Sequence, residues 1–333
     1  MSKVVILGTD LHGNPTELAS KTVLRVKKLF PKHKILSIEH RKPIQKTKDT
    51  LIIPKLIDNS RIRRTFQALI LPFYLLALRF LGYNNLLTFW VANSKYHQFL
   101  FKFLNLIRFK TYFTIIASKP NFSSIKYCQV LISQSKEMFN EAKKHHENVK
   151  LIYPSISLDI FKPTKKEDLI VIPSVPYSVS DFSDRGIDFL LQFLDKHHAK
   201  AIMILRSQES YEFIKSKKIK NLTLINKDLS DKELSSILSK AKIMPLIYKE
   251  SPDMPLSAME GLASGCAIIC KNNLSISNII KEYKSGISIK QDNEFESAIK
   301  KILSNPSYNK NARKTAEEYF SQDNIKNYSN LIG

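Results

Sequence analysis

The sequence contains few cysteines and lacks the motifs of several common enzyme classes. Only Cys128, Cys266 and Cys270 occur among 333 residues, and their spacing fits no metal site. We therefore expect three reduced, structural thiols in a cytosolic compartment, and no bound metal. The chain also lacks the G-x-S-x-G motif of a serine nucleophile. It lacks the Walker and G-x-G-x-x-G motifs of phosphate-binding loops as well.

Long apolar segments are missing as well. The N-terminus has four consecutive apolar residues before Gly8, which is too few for a signal peptide. The longest apolar run, Ala68–Leu78, stops at Arg79 and is too short to span a bilayer. Length and composition thus predict a cytoplasmic protein with two domains of ordinary size.

Acidic residues are scarce in the first half of the chain. Residues 1–160 hold 26 Lys and Arg against nine Asp and Glu, so they carry +17 of the net charge of +22. No acidic residue occurs between Asn59 and Lys136. Such a one-sided distribution predicts a positive surface that meets an anionic partner.

Residues 61–113 combine this charge with 14 of the 33 aromatic residues. Apolar and basic residues interleave at helical spacing, which favours an interfacial helix that lies on an anionic membrane. The alternative is a core helix whose flanks are solvated by Lys and Arg. Nucleic acid would satisfy the charge but would not explain the Leu and Phe residues between the basic ones.

A strand–loop–helix–strand pattern organises the second half of the chain. The apolar strand Ile243–Tyr248 leads into turn formers, and a short helix, roughly Leu256–Ser264, follows with Pro255 at its first position. Gly265 ends this helix before a second buried strand, Ala267–Cys270. The pattern predicts one βαβ unit of an open parallel sheet, in which ligands bind at strand carboxyl ends and helix N-termini.

Glu260 lies about one turn inside this helix, among Leu, Ala, Met, Gly and Ser residues. Its carboxylate is placed to accept hydrogen bonds from ligand hydroxyls, ribose being the usual case. The alternative is an ordinary Glu that the helix dipole favours. Small residues at Ala258, Gly261, Ala263 and Gly265 predict a helix that packs closely on the sheet.

The segment LSAMEGLASGCAII resembles the donor site of the retaining family-4 glycosyltransferases of GT-B fold. In that family a Glu, seven further residues and a second Glu followed by Ala-Met-Ala-Cys-Gly form the motif. Glu260 matches the second glutamate, which in the family holds the ribose of the nucleotide. The first glutamate should stand at Pro252, and Asp253 or Glu250 is the candidate replacement.

Two further segments carry the same resemblance. Leu151–Pro163 resembles the family's hinge, and Asp184–Leu191 resembles its phosphate-binding segment, with Arg185 in place of a Lys. A guanidinium can hold a diphosphate through two hydrogen bonds, so the change preserves the charge. The family's other basic residue would fall near Ser174 and is absent; Arg206 is either its replacement or a surface residue.

The resemblance implies a complete donor site and a facing loop in the first domain. The donor-binding residues would be Arg185, Arg206, Asn226, Leu229, Met254, Pro255, Leu256, Ser257 and Glu260, with Glu260 and Asp253 as the catalytic residues. The loop residues His12, Gly13 and Asn14 would approach the transferred sugar, or they form a solvated turn.

The fold implied by the resemblance is α/β, with two Rossmann-like domains facing across a cleft. Residues 1–163 would form the basic acceptor-side domain and residues 164–333 the donor domain, with the last helix crossing back to the first. The implied reaction moves a sugar, in the manner of a hexosyltransferase, from a nucleotide diphosphate sugar to a lipid-linked or other membrane-surface acceptor. It would retain configuration, require neither metal nor cofactor, and take place at the inner face of the membrane.

Two other functions remain open from the sequence. Pro252, and the absence of a histidine near Ala117, favour a GT-B subunit with reduced catalysis that serves a partner. The charge alone is also consistent with a nucleic-acid-binding protein, which would bind DNA or RNA with a steep salt dependence.

Overall fold

The computed structural model describes residues 3–9, 18–38, 48–53, 60–89, 95–116, 120–249 and 254–333. The chain divides into two compact units, of which the first comprises Met1–Pro154 and Asp323–Gly333 and the second comprises Ser155–Gln322. Each unit contains one sheet in which every described strand pair is parallel, with helices packed against it. The α/β fold class expected from the sequence is confirmed.

The first unit is built on a seven-stranded sheet. Its strands are β1 (Val4–Thr9), β2 (His33–Ile38), β3 (Thr50–Ile53), β4 (Asn85–Thr88), β5 (Lys110–Thr114), β6 (Val130–Ser133) and β7 (Val149–Leu151). The helices before residue 155 are α1 (Leu18–Val26), α2 (Ser60–Phe80), α3 (Lys95–Leu106) and α4 (Lys136–Lys143). The strand order is β3-β2-β1-β4-β5-β6-β7, so β1 and β4 lie at the centre.

The first four residues of strand β1 are all apolar, and they pack into hydrophobic cores on both faces of the sheet. Val5 and Leu7 belong to one hydrophobic core, whereas Val4 and Ile6 belong to another, and all four are fully buried. Successive side chains of a strand point to opposite faces, so a strand covered on both sides reads as a continuous apolar run.

Helix α2 contains an internal proline, and α3 supplies the missing hydrogen bond. Pro72 has no N–H to donate to the carbonyl oxygen of Ala68 one turn earlier. The Tyr96 hydroxyl of α3 donates to that oxygen instead, at 2.7 Å. This contact fixes α3 against α2, and burial raises the pKa of Tyr96 above its usual range. Among the described residues no helix is long and apolar enough to cross a membrane.

The second unit is built on a six-stranded sheet. Its strands are β8 (Glu167–Ile172), β9 (Ala201–Leu205), β10 (Leu222–Asn226), β11 (Ala241–Leu246), β12 (Ala267–Lys271) and β13 (Gly286–Ile289). Its helices are α5 (Phe182–Arg185), α6 (Ile187–His197), α7 (Gln208–Ser216), α8 (Asp231–Leu238), α9 (Leu256–Ala263), α10 (Ile276–Tyr283), α11 (Phe295–Ser304) and α12 (Ser307–Tyr319). The strand order is β10-β9-β8-β11-β12-β13.

The division between the units falls at 154/155 rather than at 163/164, because the hinge-like segment packs with the second unit. The Arg313 guanidinium donates to the carbonyl oxygens of Leu158 and Phe161, at 3.3 and 2.6 Å. The Ser235 hydroxyl donates to the carbonyl oxygen of Ile160 at 2.6 Å. These bonds hold residues 155–163 to helices of the second unit.

The last helix, α13 (Asp323–Ile332), belongs to the first unit. The Asn324 amide donates to the carbonyl oxygen of Pro154 at 3.1 Å. Tyr328 is buried, and its ring centroid lies 5.8 Å from that of Phe89. The helix thus completes one of the two hydrophobic cores of the first unit.

Candidate functional site

The carboxyl edge of the second sheet has a topological switch point between β8 and β11. From β8 the chain builds outward through β9 to β10, and it then returns to the other side of β8 for β11, β12 and β13. The connections that leave β8 and β11 therefore diverge, and ligands of open parallel sheets bind in the crevice between such connections. Arg185 lies in the connection after β8, and helix α9 follows β11.

Helix α9 begins at this edge, and the side chain of its N-cap residue makes no capping hydrogen bond. Pro255 is the N-cap with an extended backbone (ψ 129°), and its carbonyl oxygen accepts the N–H of Ala258 at 3.0 Å. The sequence placed Pro255 at the first helical position; it lies one position earlier because its ψ is not helical. The helix dipole gives this end a positive potential.

The small residues of α9 bring the helix close to the sheet, as the sequence predicts. A Cβ added at Gly261 would lie 2.5 Å from the Met244 Cε of β11. Gly265 ends the helix with φ at +76°, a backbone conformation that glycine adopts at little cost. These two glycines fix the distance and the direction of α9 on the sheet.

The predicted donor-binding residues on and before α9 are largely buried. Glu260 is 4% exposed, Ser257 8% and Met254 2%, while Pro255 and Leu256 are half-buried. Burial of a carboxylate among apolar side chains is costly unless the group is hydrogen-bonded. Glu260 is therefore buried rather than solvated, and its two interpretations, a ribose ligand or an ordinary Glu that the helix dipole favours, both stay predictions.

Arg185 lies beside the end of β11. Its guanidinium carbon is 4.7 Å from the ring centroid of Tyr248, a cation–π distance. Gly186, which follows, has φ at +66°, and a Cβ there would lie 2.3 Å from the carbonyl oxygen of Ile247. Close backbone contact therefore holds the turn between α5 and α6 against β11, with the Arg185 guanidinium at the switch point.

The sequence reasoning missed Lys249, which immediately follows Tyr248. Its backbone N–H donates to the carbonyl oxygen of Asp184 at 2.9 Å. Its ammonium donates to the Ser183 hydroxyl at 2.8 Å and lies 3.4 Å from the Asp184 carboxylate. The Asn273 amide donates to the Lys249 carbonyl oxygen. A cation directly after a central strand is the signal that could have identified this residue.

The remaining predicted donor residues lie farther along the same edge. Arg206 follows β9 and is half-buried, and the Asn226 amide at the end of β10 donates to the Gln208 side chain at 2.8 Å. Leu229 is half-buried and precedes α8. In the strand order, Arg206 is one strand and Asn226 two strands away from β8.

The loop after β10 is tied to the start of α8. Ser230 and Glu233 form a capping box, and the Lys227 ammonium donates to the Glu233 carboxylate at 2.7 Å. The hydrogen bond from Lys227, followed by those from Ser230, lowers the pKa of Glu233 to about 2. These bonds order the segment that contains the predicted donor-binding residues Asn226 and Leu229.

Some predicted residues lie outside the described part of the chain. They are Glu250 and Asp253, which lie between β11 and α9 in the sequence, and His12, Gly13 and Asn14, which follow β1 in the sequence. Within the described ranges, no group of three or more His, Cys, Asp and Glu residues could hold a metal ion. The three thiols are free and buried, and burial raises the pKa of Cys266 to about 11 and that of Cys270 to about 12.

Residues 182–319 match the sequence family described as glycosyl transferases group 1. The matched segment runs from α5 to the end of α12 and contains Arg185, Lys249 and Glu260. All the matched residues lie in the second unit, which therefore contains a glycosyltransferase group 1 domain, and the protein is an enzyme. No curated protein sequence matches the chain.

Solved structures share the fold over almost the whole chain. Sucrose-phosphate synthase from Thermosynechococcus elongatus matches with a TM-score of 0.75 and 13% identity, over 99% of this chain and 98% of that one. Anabaena HepE in complex with UDP and glucose matches with a TM-score of 0.74 and 10% identity, over 99% of both chains. WaaG, a glycosyltransferase involved in lipopolysaccharide biosynthesis, has a TM-score of 0.71 and 10% identity, over 99% of both chains. The protein has the GT-B fold.

Proposed function

We propose that the protein transfers a sugar, with retention of anomeric configuration, from a nucleoside diphosphate sugar to an acceptor at a membrane surface. The observation that carries the donor assignment is the switch point between β8 and β11. There the Arg185 guanidinium lies at the same sheet edge as the N-terminus of α9, the helix that also carries the buried Glu260 carboxylate. HepE, which has the same fold, has been solved with UDP and with UDP-glucose.

Each group at the switch point has a role in this proposal. The Glu260 carboxylate accepts the hydroxyl hydrogens of the ribose, and Arg185 holds the diphosphate through two N–H groups. As the glycosidic bond breaks, negative charge grows on the diphosphate. A fixed guanidinium and the positive end of α9 stabilise that charge without reorganising. Arg206, Asn226 and Leu229 would contact the rest of the nucleotide.

The sugar would be held by groups outside the described residues. Asp253, or Glu250, would replace the missing first glutamate of the family motif and contact the sugar hydroxyls. His12, Gly13 and Asn14 would approach the sugar from the loop after β1. In a retaining reaction the leaving phosphate would accept the proton of the incoming acceptor hydroxyl. We expect transfer to continue in excess chelator, because protein cations perform the neutralisation.

Nucleotide binding tests the donor assignment directly. UDP, GDP, ADP and TDP are added to the purified protein, and the shift of the unfolding temperature is measured. A nucleotide at 100 times its dissociation constant stabilises the folded state by about 2.7 kcal/mol. We expect one or two of these diphosphates to give such a shift. No shift with any of them would contradict the proposal.

The membrane part of the proposal rests on an exposed apolar surface of the first unit. We name it the α2–α3 apolar surface, and its members are Leu69, Phe73, Phe80 and Leu81 at α2 and Phe99 and Leu106 on α3. Phe80 and Leu106 are 83% and 80% exposed. Residues 69, 73 and 80 follow helical spacing along one face of α2, opposite the buried Leu71, Leu75 and Leu78.

Exposed basic residues near the α2–α3 apolar surface favour an anionic lipid surface as its partner. Lys95, Lys102, Arg108 and Lys110 are exposed on or next to α3, in the stretch that contains no acidic residue. Aromatic and Leu side chains enter the headgroup boundary, and each nearby Lys or Arg contributes about 1 kcal/mol at an anionic leaflet. Helices α2 and α3 each have one buried and one exposed apolar side, an arrangement that is consistent with both interpretations of residues 61–113. Peripheral binding at the inner membrane face would bring the enzyme to a lipid-linked acceptor.

A further inference from the structure

We infer that Lys249 is a second cation for the diphosphate of the donor and acts together with Arg185. This inference rests on the proposed function and adds a residue that neither the family match nor the resemblance assigns. In this arrangement Arg185 neutralises part of the negative charge of the diphosphate, and Lys249 neutralises a further part.

The backbone places the two cations next to each other. The Lys249 N–H donates to the Asp184 carbonyl oxygen at 2.9 Å, so residues 184 and 249 are neighbours across the switch point. The next pair of neighbours is Arg185 and Tyr248, whose guanidinium and ring stack at 4.7 Å. Both cations thus lie at the junction of the β8 and β11 connections, where a ligand of this sheet binds.

The present partners of Lys249 leave its ammonium available. Its side chain is 61% exposed, and that of Asp184 is 77% exposed. An exposed ion pair of this kind contributes about 0–1 kcal/mol, because water solvates both charges. A diphosphate offers more charge and more acceptor oxygens than one carboxylate. The ammonium therefore gains by moving from Asp184 to the ligand, whereas Asp184 stays solvated.

The strand order favours Lys249 over Arg206 as the second cation. Lys249 follows β11, one of the two strands that form the switch point, whereas Arg206 follows β9 on the far side of β8. Tyr248 is 5% exposed and restrains Arg185 on one side. Lys249 is the next residue after Tyr248, so Arg185 and Lys249 would approach a ligand from adjacent positions.

Lys249→Met tests the inference, with Lys200→Met as the matched control. Lys200 forms a similar exposed ion pair with Glu167, and its side chain is 63% exposed, but it lies at the opposite, amino edge of the sheet. Affinities for UDP, GDP, ADP and TDP and for the four nucleosides are measured by calorimetry. In Lys249→Met, loss of one charge-assisted hydrogen bond should lower the affinity for the diphosphate about tenfold to a hundredfold. The affinity for the corresponding nucleoside should not change.

Further variants separate a direct contact from a structural effect. Lys249→Arg should retain most of the diphosphate affinity, and Lys249→Met should lower the salt dependence of binding because one cation fewer contacts the phosphates. If Lys249→Met and Lys200→Met bind the diphosphate as the unchanged protein does, the inference is wrong while the proposed function stands. If the unchanged protein binds none of the four diphosphates, both are overturned.

Discussion

Replacing Phe73 and Phe80 together by Ser should detach the protein from anionic membranes. The two rings are 72% and 83% exposed, and they lie seven residues apart on one face of α2. Full burial of a Phe side chain contributes about 1.5–3 kcal/mol relative to exposure. Since most of each ring is still exposed, we expect about 1–2 kcal/mol from each. The double variant should therefore bind vesicles about 30-fold to 700-fold more weakly.

The assay is sedimentation with two kinds of vesicle: anionic vesicles that contain phosphatidylserine, and zwitterionic vesicles of phosphatidylcholine alone. The unchanged protein should pellet with the anionic vesicles, less with the zwitterionic ones, and the difference should shrink in high salt. Tyr177→Ser is the control, because Tyr177 is 51% exposed but belongs to the second unit. Lys95→Gln with Lys102→Gln should weaken binding to anionic vesicles only.

The folded state should tolerate these changes, because exposed side chains contribute little to the core. Equal pelleting of the Phe73→Ser, Phe80→Ser variant and the Tyr177→Ser variant would refute the insertion of α2. Equal recovery of the unchanged protein with neutral and anionic vesicles, or none with either, would show that residues 61–113 form an ordinary core with a basic surface.

Three further substitutions test individual contacts. Glu260→Gln should weaken binding of both nucleoside and nucleoside diphosphate by about 1–3 kcal/mol, measured by calorimetry; unchanged affinity in a folded variant would remove Glu260 from the ribose site. Tyr96→Phe should lower the free energy of unfolding by about 1–3 kcal/mol in urea, because the carbonyl oxygen of Ala68 loses its donor; no change would mean that water replaces the hydroxyl. Lys166→Met should destabilise by about 1.5–3 kcal/mol and exposed Lys165→Met by much less, because the Lys166 ammonium donates to three carbonyl oxygens; equal effects would contradict this.

The sequence rules for helix ends and for close helix packing predicted helix α9 well, because each depends on only a few consecutive residues. Gly265 could be recognised as the helix end because glycine readily adopts positive φ, and Gly261 as a contact because it removes a Cβ. Pro255 was placed one position too far into the helix. Its ψ decides that position, and the fixed φ of a proline ring does not determine ψ.

The sequence could not show contacts between residues that are distant in the chain. Lys249 becomes a candidate only because β11 returns to the side of β8, which places it beside Asp184. Likewise, Pro72 predicts an unpaired carbonyl oxygen, but only the packing of α3 identifies Tyr96 as its donor. The 154/155 division depends on Arg313, whose bonds to Leu158 and Phe161 span more than a hundred residues.

The most direct test of the central claim is the release of nucleoside diphosphate from a nucleotide sugar. UDP-, GDP-, ADP- and TDP-sugars are incubated with the protein and anionic vesicles in excess chelator, and free diphosphate is measured over time. We predict release with at least one donor, loss of release in Arg185→Ala, and a product whose anomeric configuration by NMR equals that of the donor. A protein that binds the diphosphate but releases none from any donor would instead be a partner subunit with reduced catalysis, and the claim of transfer would be wrong.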